Sequence, residues 1–309
     1  MARISEPALA HAKIHYNTVM TSVEALTSEP RLVCVTTADN RKQYFDEVVI
    51  TTPLGWLKQH KGSIPHLHPR IKSAIDSLTF GRLEKVGLHP CAQACQSADG
   101  GLQVIIEFPT PFWDSASSDG QTDANDNVSF VHWLSPSYAA QSNPQKWRLE
   151  CVSFNAFDKP YRRNFLLFYT FGDCSSHITS SIHGLQGAGR HKWLQRFFEP
   201  YYSRLPGYSA ANEPVRFLAT EWCNDEFAGN GSYCNFRIGV ADAAGDVLAI
   251  RHGMPERRIY FAGEHTAPFD GLGTVAGAYT SGENVAKRII ASRHSDTDML
   301  EGDAEVPNY

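Results

Sequence analysis

No stretch of this sequence is apolar for long enough to cross a bilayer. The longest apolar run, residues 165–171 (FLLFYTF), spans seven residues, against the ~20 that a membrane helix needs. The first residues, MARISEPALAHAK, lack the apolar core of a secretory leader. An excess of positive charge is also missing. With 28 Lys+Arg against 33 Asp+Glu and a net charge of -5, the chain has no electrostatic footprint of a nucleic-acid binder. Cysteine is sparse: seven residues, an odd number with no repeated short spacing. That argues against a disulfide framework and for free thiols in a reducing compartment. There is no internal repeat, no G-x-S-x-G elbow and no P-loop, so hydrolase and phosphotransfer chemistry have no motif to rest on.

What is present is ordinary globular composition: 42% apolar and 20% charged residues over 309 positions, enough to bury roughly 75% of the unfolded chain's surface. The expectation is a soluble protein, cytoplasmic by default, because the last residues (VPNY) carry no recognisable address.

Hydrophobic periodicity lays out the elements. Residues 6–13 read as a short helix, and 19–23, 32–36 and 44–51 as strands, with Asp39-Asn40 as the turn between the last two. The run Val48-Val49-Ile50 suggests a strand buried on both faces. Residues 69–79 form an amphipathic helix opened by Pro69, with Ile71, Ala74, Ile75 and Leu78 on one face. Strands follow at 82–88, 102–108, 128–134, 149–156 and 164–171, a helix at 190–204, and strands at 214–222 and 258–263. A long helix at 274–291 carries Val275, Ala278, Gly282, Val285 and Ile289 as a stripe, and 294–309 is expected to be a disordered tail. Two segments interrupt this order: the polar stretch 114–127 (DSASSDGQTDANDN) and residues 87–103 (GLHPCAQACQSADGGLQ).

The segment richest in chemistry is 258–290, where a strand ends in Ala-Gly-Glu and a helix opens at Gly273-Thr274-Val275. An acidic residue at a strand's carboxyl end can bond sugar-like hydroxyls. A helix N-terminus offers unpaired amides and a positive dipole end to an electron-rich group. Gly271, Gly273 and Gly277 would let a planar ligand approach the backbone. The run GLGTVA (271–276) fits the loose dinucleotide pattern, but lies too far beyond its strand and lacks the downstream acidic residue. The alternative reading has these glycines serving helix packing alone. His11/His15 and Cys91/Cys95 lack further ligands and do not make a metal site.

Four motifs occur in order: VVITTPLGWLK (48–58), FGRLEKV (80–86), EWCNDEFAGNGSYCNFRIG (221–239) and IYFAGEHT with GTVAGAYTSGENVA (259–286). Together they closely resemble the flavin-dependent amine oxidase family, which includes polyamine oxidases, monoamine oxidases and lysine-specific histone demethylases. The similarity covers residues 4–292, with polyamine oxidases as the nearest branch.

The resemblance implies α/β plus α+β architecture. Residues 1–52 and 236–293 would be the surviving part of a glutathione-reductase-like FAD domain, and 53–235 an inserted substrate domain of mixed sheet and helices. The cofactor implied is FAD. Met20 falls in the strand whose backbone lies against the adenine. Glu264 matches the FAD-binding acidic residue, and Thr274 and Val275 match the helix start facing the flavin pyrimidine ring. Lys85 matches the lysine that holds a water near flavin N5 and assists reaction with oxygen. Trp222 matches a tryptophan along the ring system, Tyr233 an aromatic wall beside the substrate amine. Thr274 stands where some polyamine oxidases have a second cage aromatic, which implies a more open cage. In isolation, Lys85 would read as a solvated strand lysine, and Trp222 and Tyr233 as core aromatics.

Under this resemblance the reaction is hydride transfer from an amine C–H, giving an imine, then an aldehyde and hydrogen peroxide. The implied partners are a small-molecule amine and oxygen, with no nucleic acid and no membrane. The resemblance also implies that the N-terminal Rossmann βαβ unit is missing, so that this chain would hold FAD weakly or not at all. Excising 87–103 and one flanking valine restores LEKVIIEFPTPFW, which suggests an insertion or a retained intron. Two alternatives stand beside the oxidase reading: a non-catalytic truncated paralogue or incomplete gene model, and an amino-acid oxidase in which Arg82 or Arg237 would meet a carboxylate.

Overall fold

The computed structural model of the protein describes residues 2–81, 102–114, 128–236 and 239–302. In chain order these form α1 (Ala2–Leu9), β1 (Met20–Ala25), β2 (Val33–Thr37), β3 (Lys42–Phe45), β4 (Val48–Ile50), α2 (Leu54–Gln59), α3 (Pro69–Ser77) and β5 (Thr79–Phe80). There follow β6 (Leu102–Glu107), β7 (Phe130–Trp133), β8 (Leu149–Ser153), β9 (Phe165–Thr170), α4 (Gly172–Ile182), α5 (Gly187–Tyr202) and β10 (Arg216–Ala219). The last elements are β11 (Cys234–Asn235), α6 (Ala243–His252), β12 (Ile259–Phe261) and α7 (Val275–Gly302). Among the described residues, no helix is long and apolar enough to cross a membrane.

The chain divides into two units: residues 1–79 with 234–309, and residues 80–233. The expected boundary at 52/53 therefore moves to 79/80. The reason is burial: Leu54, Leu57, Ile71, Ala74 and Ile75 bring α2 and α3 into the first unit's core. Arg70 on α3 pairs with the buried Asp246 on α6, and with Asp242 at 3.7 Å.

In the first unit, β1, β2 and β3 form an antiparallel meander. Its second turn carries Asn40 at φ 61°, a left-handed conformation that Asn tolerates. The strand expected over 44–51 is in fact two strands that serve different sheets. β3 pairs with β2 antiparallel, whereas β4 pairs with β12 in parallel, Val49 opposite Tyr260. β4 is not buried on both faces: Val49 is 37% exposed.

The second unit is a five-stranded sheet in the order β10-β6-β9-β8-β7. Its expected mixed topology is corrected: every pairing among the described strands is antiparallel. Alternation on β6 and β8 points Leu102, Val104, Ile106, Leu149 and Cys151 to one face, where they pack with α4 and α5 through Ile178, Leu194, Phe197 and Phe198. Each such side chain contributes about 1.5–3 kcal/mol on burial. Leu102 and Gln103, at the end of the segment expected to be inserted, are strand residues paired with Thr170 and Tyr169. The rest of that insertion, the strand at 82–88 and residues 115–127 lie outside the described residues.

α7 continues to Gly302, through the first part of the expected disordered tail. Residues 294–301 contain neither Pro nor Gly to stop it. Its expected stripe is also revised. Ser281 and Val285 are buried, but Val275 is 65% exposed.

Candidate functional site

In the first unit, β12 runs into Ala262-Gly263-Glu264. Gly263 sits at φ 139°, and a Cβ there would lie 2.9 Å from the His265 ring. Its N–H donates to Ser281 Oγ of α7 at 2.8 Å. Glu264 then bridges two further segments: Oε1 accepts the Cys234 N–H and Oε2 the Gly273 N–H, both at 3.0 Å. Burial pushes the Glu264 carboxyl above its ordinary pKa, opposed by these hydrogen bonds. Burial, reinforced by the Glu264 charge, pushes the Cys234 thiol up, so it stays neutral.

The same loop is gripped from its far side. Arg251, near the end of α6, donates Nε to Thr266 O and Nη2 to Ala267 O, each at 2.6 Å. Arg288 of α7 donates to the carbonyls of Arg251 and His252 at 2.6 and 3.1 Å. Between the grips, His265 is fully buried, its Nε2 without a hydrogen-bond partner among the described residues. Burial lowers its pKa to about 4, so the ring is neutral at physiological pH.

Thr274 caps α7. Its Oγ1 accepts the Gly277 N–H at 2.9 Å and donates to Gly271 O at 2.7 Å. A Cβ on Gly277 would stand 1.9 Å from Gly271 O, and one on Gly271 would stand 3.0 Å from Gly277 Cα. The missing side chains of these two glycines are therefore used by each other, not by a planar ligand. Thr274, Val275 and Ala276 are exposed, and the first helical amides, on Val275 and Ala276, have no intrahelical acceptor. Residues 262–274, with two short turns, separate β12 from α7. GLGTVA is thus a helix entry after a long loop and not a dinucleotide-binding turn.

In the second unit, Trp222 and Tyr233 stand at the two ends of one closed loop. Asp225 Oδ1 accepts the amides of Phe227 and Ala228 at 2.9 and 3.1 Å, and Asn230 Nδ2 donates to Cys223 O at 2.9 Å. The closing residue must be glycine, since a Cβ on Gly231 would fall 2.6 Å from Gly81 Cα. Gly81 N–H donates to Tyr233 O at 3.2 Å. Trp222 is 39% exposed and Tyr233 half-buried.

The Glu264 bond to Gly273 brings Glu264, Thr274 and Val275 together. Met20 opens β1 opposite Thr37, half-buried. Lys85, Arg82 and Arg237 lie outside the described residues. Sequence reasoning missed Arg251 and Ser281. Ser281 lies inside the GTVAGAYTSGENVA motif, which could have marked it, whereas Arg251 lies outside all four motifs on α6, which was not expected.

A family model described as flavin containing amine oxidoreductase matches residues 1–90 and 92–290. The chain belongs to this family. Among its relatives, the lysine-specific histone demethylase 1 homolog 3 of Arabidopsis thaliana is 26% identical over 305 residues, 96% of this chain and 16% of the relative. The lysine-specific histone demethylase 1B homolog of Caenorhabditis elegans is 26% identical over 277 residues, 85% of this chain and 28% of the relative. A solved putrescine oxidase bearing three substitutions superposes with TM-score 0.58 at 16% identity, covering 94% of this chain and 52% of its own, which shows the fold. The chain therefore spans about half of that structure and a smaller share of those two relatives.

The cofactor of this flavin-containing amine oxidase family is FAD. The α7 entry fits the electron-rich edge of a flavin ring: its first amides are uncommitted and Val275 presents an exposed apolar surface beside them. Each Glu264 oxygen accepts one backbone N–H, and the carboxylate also takes the Cys234 thiol, so its acceptor capacity is largely committed to holding the loop.

Proposed function

We propose that the protein oxidises amines with FAD, and that its substrates are polyamines or secondary amines. The observation that carries this reading is the Glu264-locked entry to α7, with its open first amides, in a member of the flavin-containing amine oxidase family. In this reading Glu264, Thr274 and Val275 hold the ring end of the cofactor, and Met20 lies by its adenine. When bound, the flavin supplies the hydride acceptor for an amine C–H and passes the electrons to oxygen, giving hydrogen peroxide.

The chain's own residues bind, orient and keep water away. The α7 dipole favours negative charge at the ring edge. Trp222 and Tyr233 offer aromatic faces that orient an amine and stabilise positive charge as it develops on the nitrogen. Lys85 serves the oxygen side. Two ionisable groups beside the cradle, the Cys234 thiol and the His265 ring, are both neutral. That suits chemistry in which the cofactor carries the hard step.

The test is the visible absorption spectrum of the purified chain with and without added FAD, followed by a screen of amines for peroxide release. A bound flavin band with amine-dependent peroxide supports the proposal. A chain that takes up no flavin supports the non-catalytic reading instead, and one that takes up flavin and releases no peroxide with any amine overturns the proposal.

A further inference from the structure

The residue just before Trp222 is held more firmly than Trp222 itself. Glu221 Oε1 accepts a short hydrogen bond from Arg190 Nη1 of α5. Its Oε2 accepts from Asn224 Nδ2 at 3.2 Å and lies 3.5 Å from Nδ1 of His183, which ends α4. The second Arg190 nitrogen donates to Ala219 O at 2.8 Å, so one guanidinium grips both the end of β10 and the Glu221 carboxylate. The ion pair is withdrawn from solvent, its side chains 26% and 23% exposed. Burial pushes the Glu221 carboxyl up, but the bonds from Arg190 and Asn224 outweigh it and hold the group ionised below the usual range.

The Trp222 ring, by contrast, has no hydrogen bond or ring partner among the described residues. Only its backbone is tied, Trp222 O accepting the Asp225 N–H at 3.3 Å while the Asn224 N–H donates to Glu221 O at 2.8 Å. With the ring 39% exposed and held by packing alone, its direction depends on where the backbone at 221–222 places it. The Asp225 and Asn230 bonds close the loop on the far side of Trp222 and do not fix residues 221–222.

We propose that Glu221, clamped by Arg190, is a positioning residue that sets the direction of the Trp222 indole. The proposal rests on the reading of Trp222 as an aromatic flank of the flavin site. A fork of two donors suits the task, because a guanidinium holds a carboxylate and a carbonyl in fixed relative geometry, which a lysine point charge cannot do.

The test isolates Trp222 fluorescence in the full chain as the difference between each protein and its Trp222→Phe counterpart. Glu221→Gln and Arg190→Gln should each shift this emission to the red, lower its anisotropy and increase its quenching by acrylamide. Arg190→Lys, which keeps the charge and loses the fork, should give a partial change in the same direction. If the Gln variants fail to fold, Arg190→Lys decides: an unchanged Trp222 signal overturns the proposal. The same holds if folded Gln variants lose thermal stability while the Trp222 signal stays as in the parent, since the pair would then be structural only. Addition of FAD separates the two readings. Quenching of the Trp222 signal by FAD supports its place at the flavin. In a chain that has taken up FAD, judged by its visible band, a signal that responds to the clamp variants and not to FAD supports the clamp and overturns the flavin-site reading.

Discussion

Replacing Glu264 with glutamine tests whether one side chain holds the cofactor cradle. The carboxylate accepts two backbone amides at 3.0 Å, from Cys234 and Gly273. Glutamine keeps the shape but turns one acceptor into a donor, so one amide loses its partner and faces another N–H. A hydrogen bond to a charged group contributes about 1.5–3 kcal/mol, and stranding a buried N–H costs a similar amount. Those costs apply to the ionised form; the protonated carboxyl, like glutamine, has one acceptor oxygen and one donor, so in acid the variant should match the parent to within about 1 kcal/mol. The pH dependence is the sharper test. Burial raises the folded-state pKa of Glu264 above its unfolded value, so the native state binds the proton more tightly. The stabilisation from this group is fully present below the ordinary carboxylate range and is lost as pH rises through the raised value. Glutamine does not titrate. The stability of Glu264→Gln relative to the parent, read from denaturant unfolding of both proteins at matched pH, should therefore rise from acid toward neutrality. A cost that grows with pH would refute the reasoning, because it would mean that the two amide bonds to the ionised form outweigh burial.

Two further perturbations probe the same loop. Gly277→Ala should destabilise the chain by about 2 kcal/mol or more, since a Cβ 1.9 Å from Gly271 O forces the loop off α7; helix propensity alone predicts a gain of about 1 kcal/mol, so a more stable variant in thermal unfolding would show that the contact yields. His265→Gln should flatten the loss of stability in acid. The buried ring titrates near about 4 instead of 6.5, so its contribution is present above the unfolded pKa and lost as pH falls toward the folded value, by up to about 3 kcal/mol. A parent and variant with parallel pH profiles would contradict this.

Much of the layout was legible in the sequence because it rests on local signals. Pro69 and the Ile71, Ala74, Ile75 spacing marked α3, and the aromatic stripe of α5 marked the helix that covers the sheet. What escaped was tertiary. α4 is rich in Ser, Thr and His and shows no leucine stripe, and α6 is announced chiefly by its Asp242 cap. Nothing local says that the chain changes sheets at Asp46-Glu47, because both halves are good strand sequence. The site was legible only through motif resemblance. Glu264, Thr274 and Val275 were marked by GEHT and GTVA, whereas the Gly271–Gly277 contact and the Arg251 grip depend on folding that brings distant backbone together.

The polarity of the two grips follows from what a long irregular loop cannot do for itself. Residues 262–274 have no strand ladder to pair with, yet much of the loop is buried, so their backbone groups need other partners. On the side facing α7 an anion, Glu264, takes one amide of the loop, on Gly273, and ties it to a second, on Cys234 of β11. On the side facing α6 the surplus is carbonyls, and a cation, Arg251, takes two. A neutral residue at either place could satisfy one group at most with the same geometry. The arrangement has a consequence for measurement. Glu264 makes stability fall with rising pH, whereas the buried His265 beside it makes stability rise with pH across an overlapping acid window. The two slopes oppose each other, so the parent's own pH profile conceals both. Only single variants at each position, compared with the parent at matched pH, should reveal a cradle whose two adjacent residues pull in opposite directions.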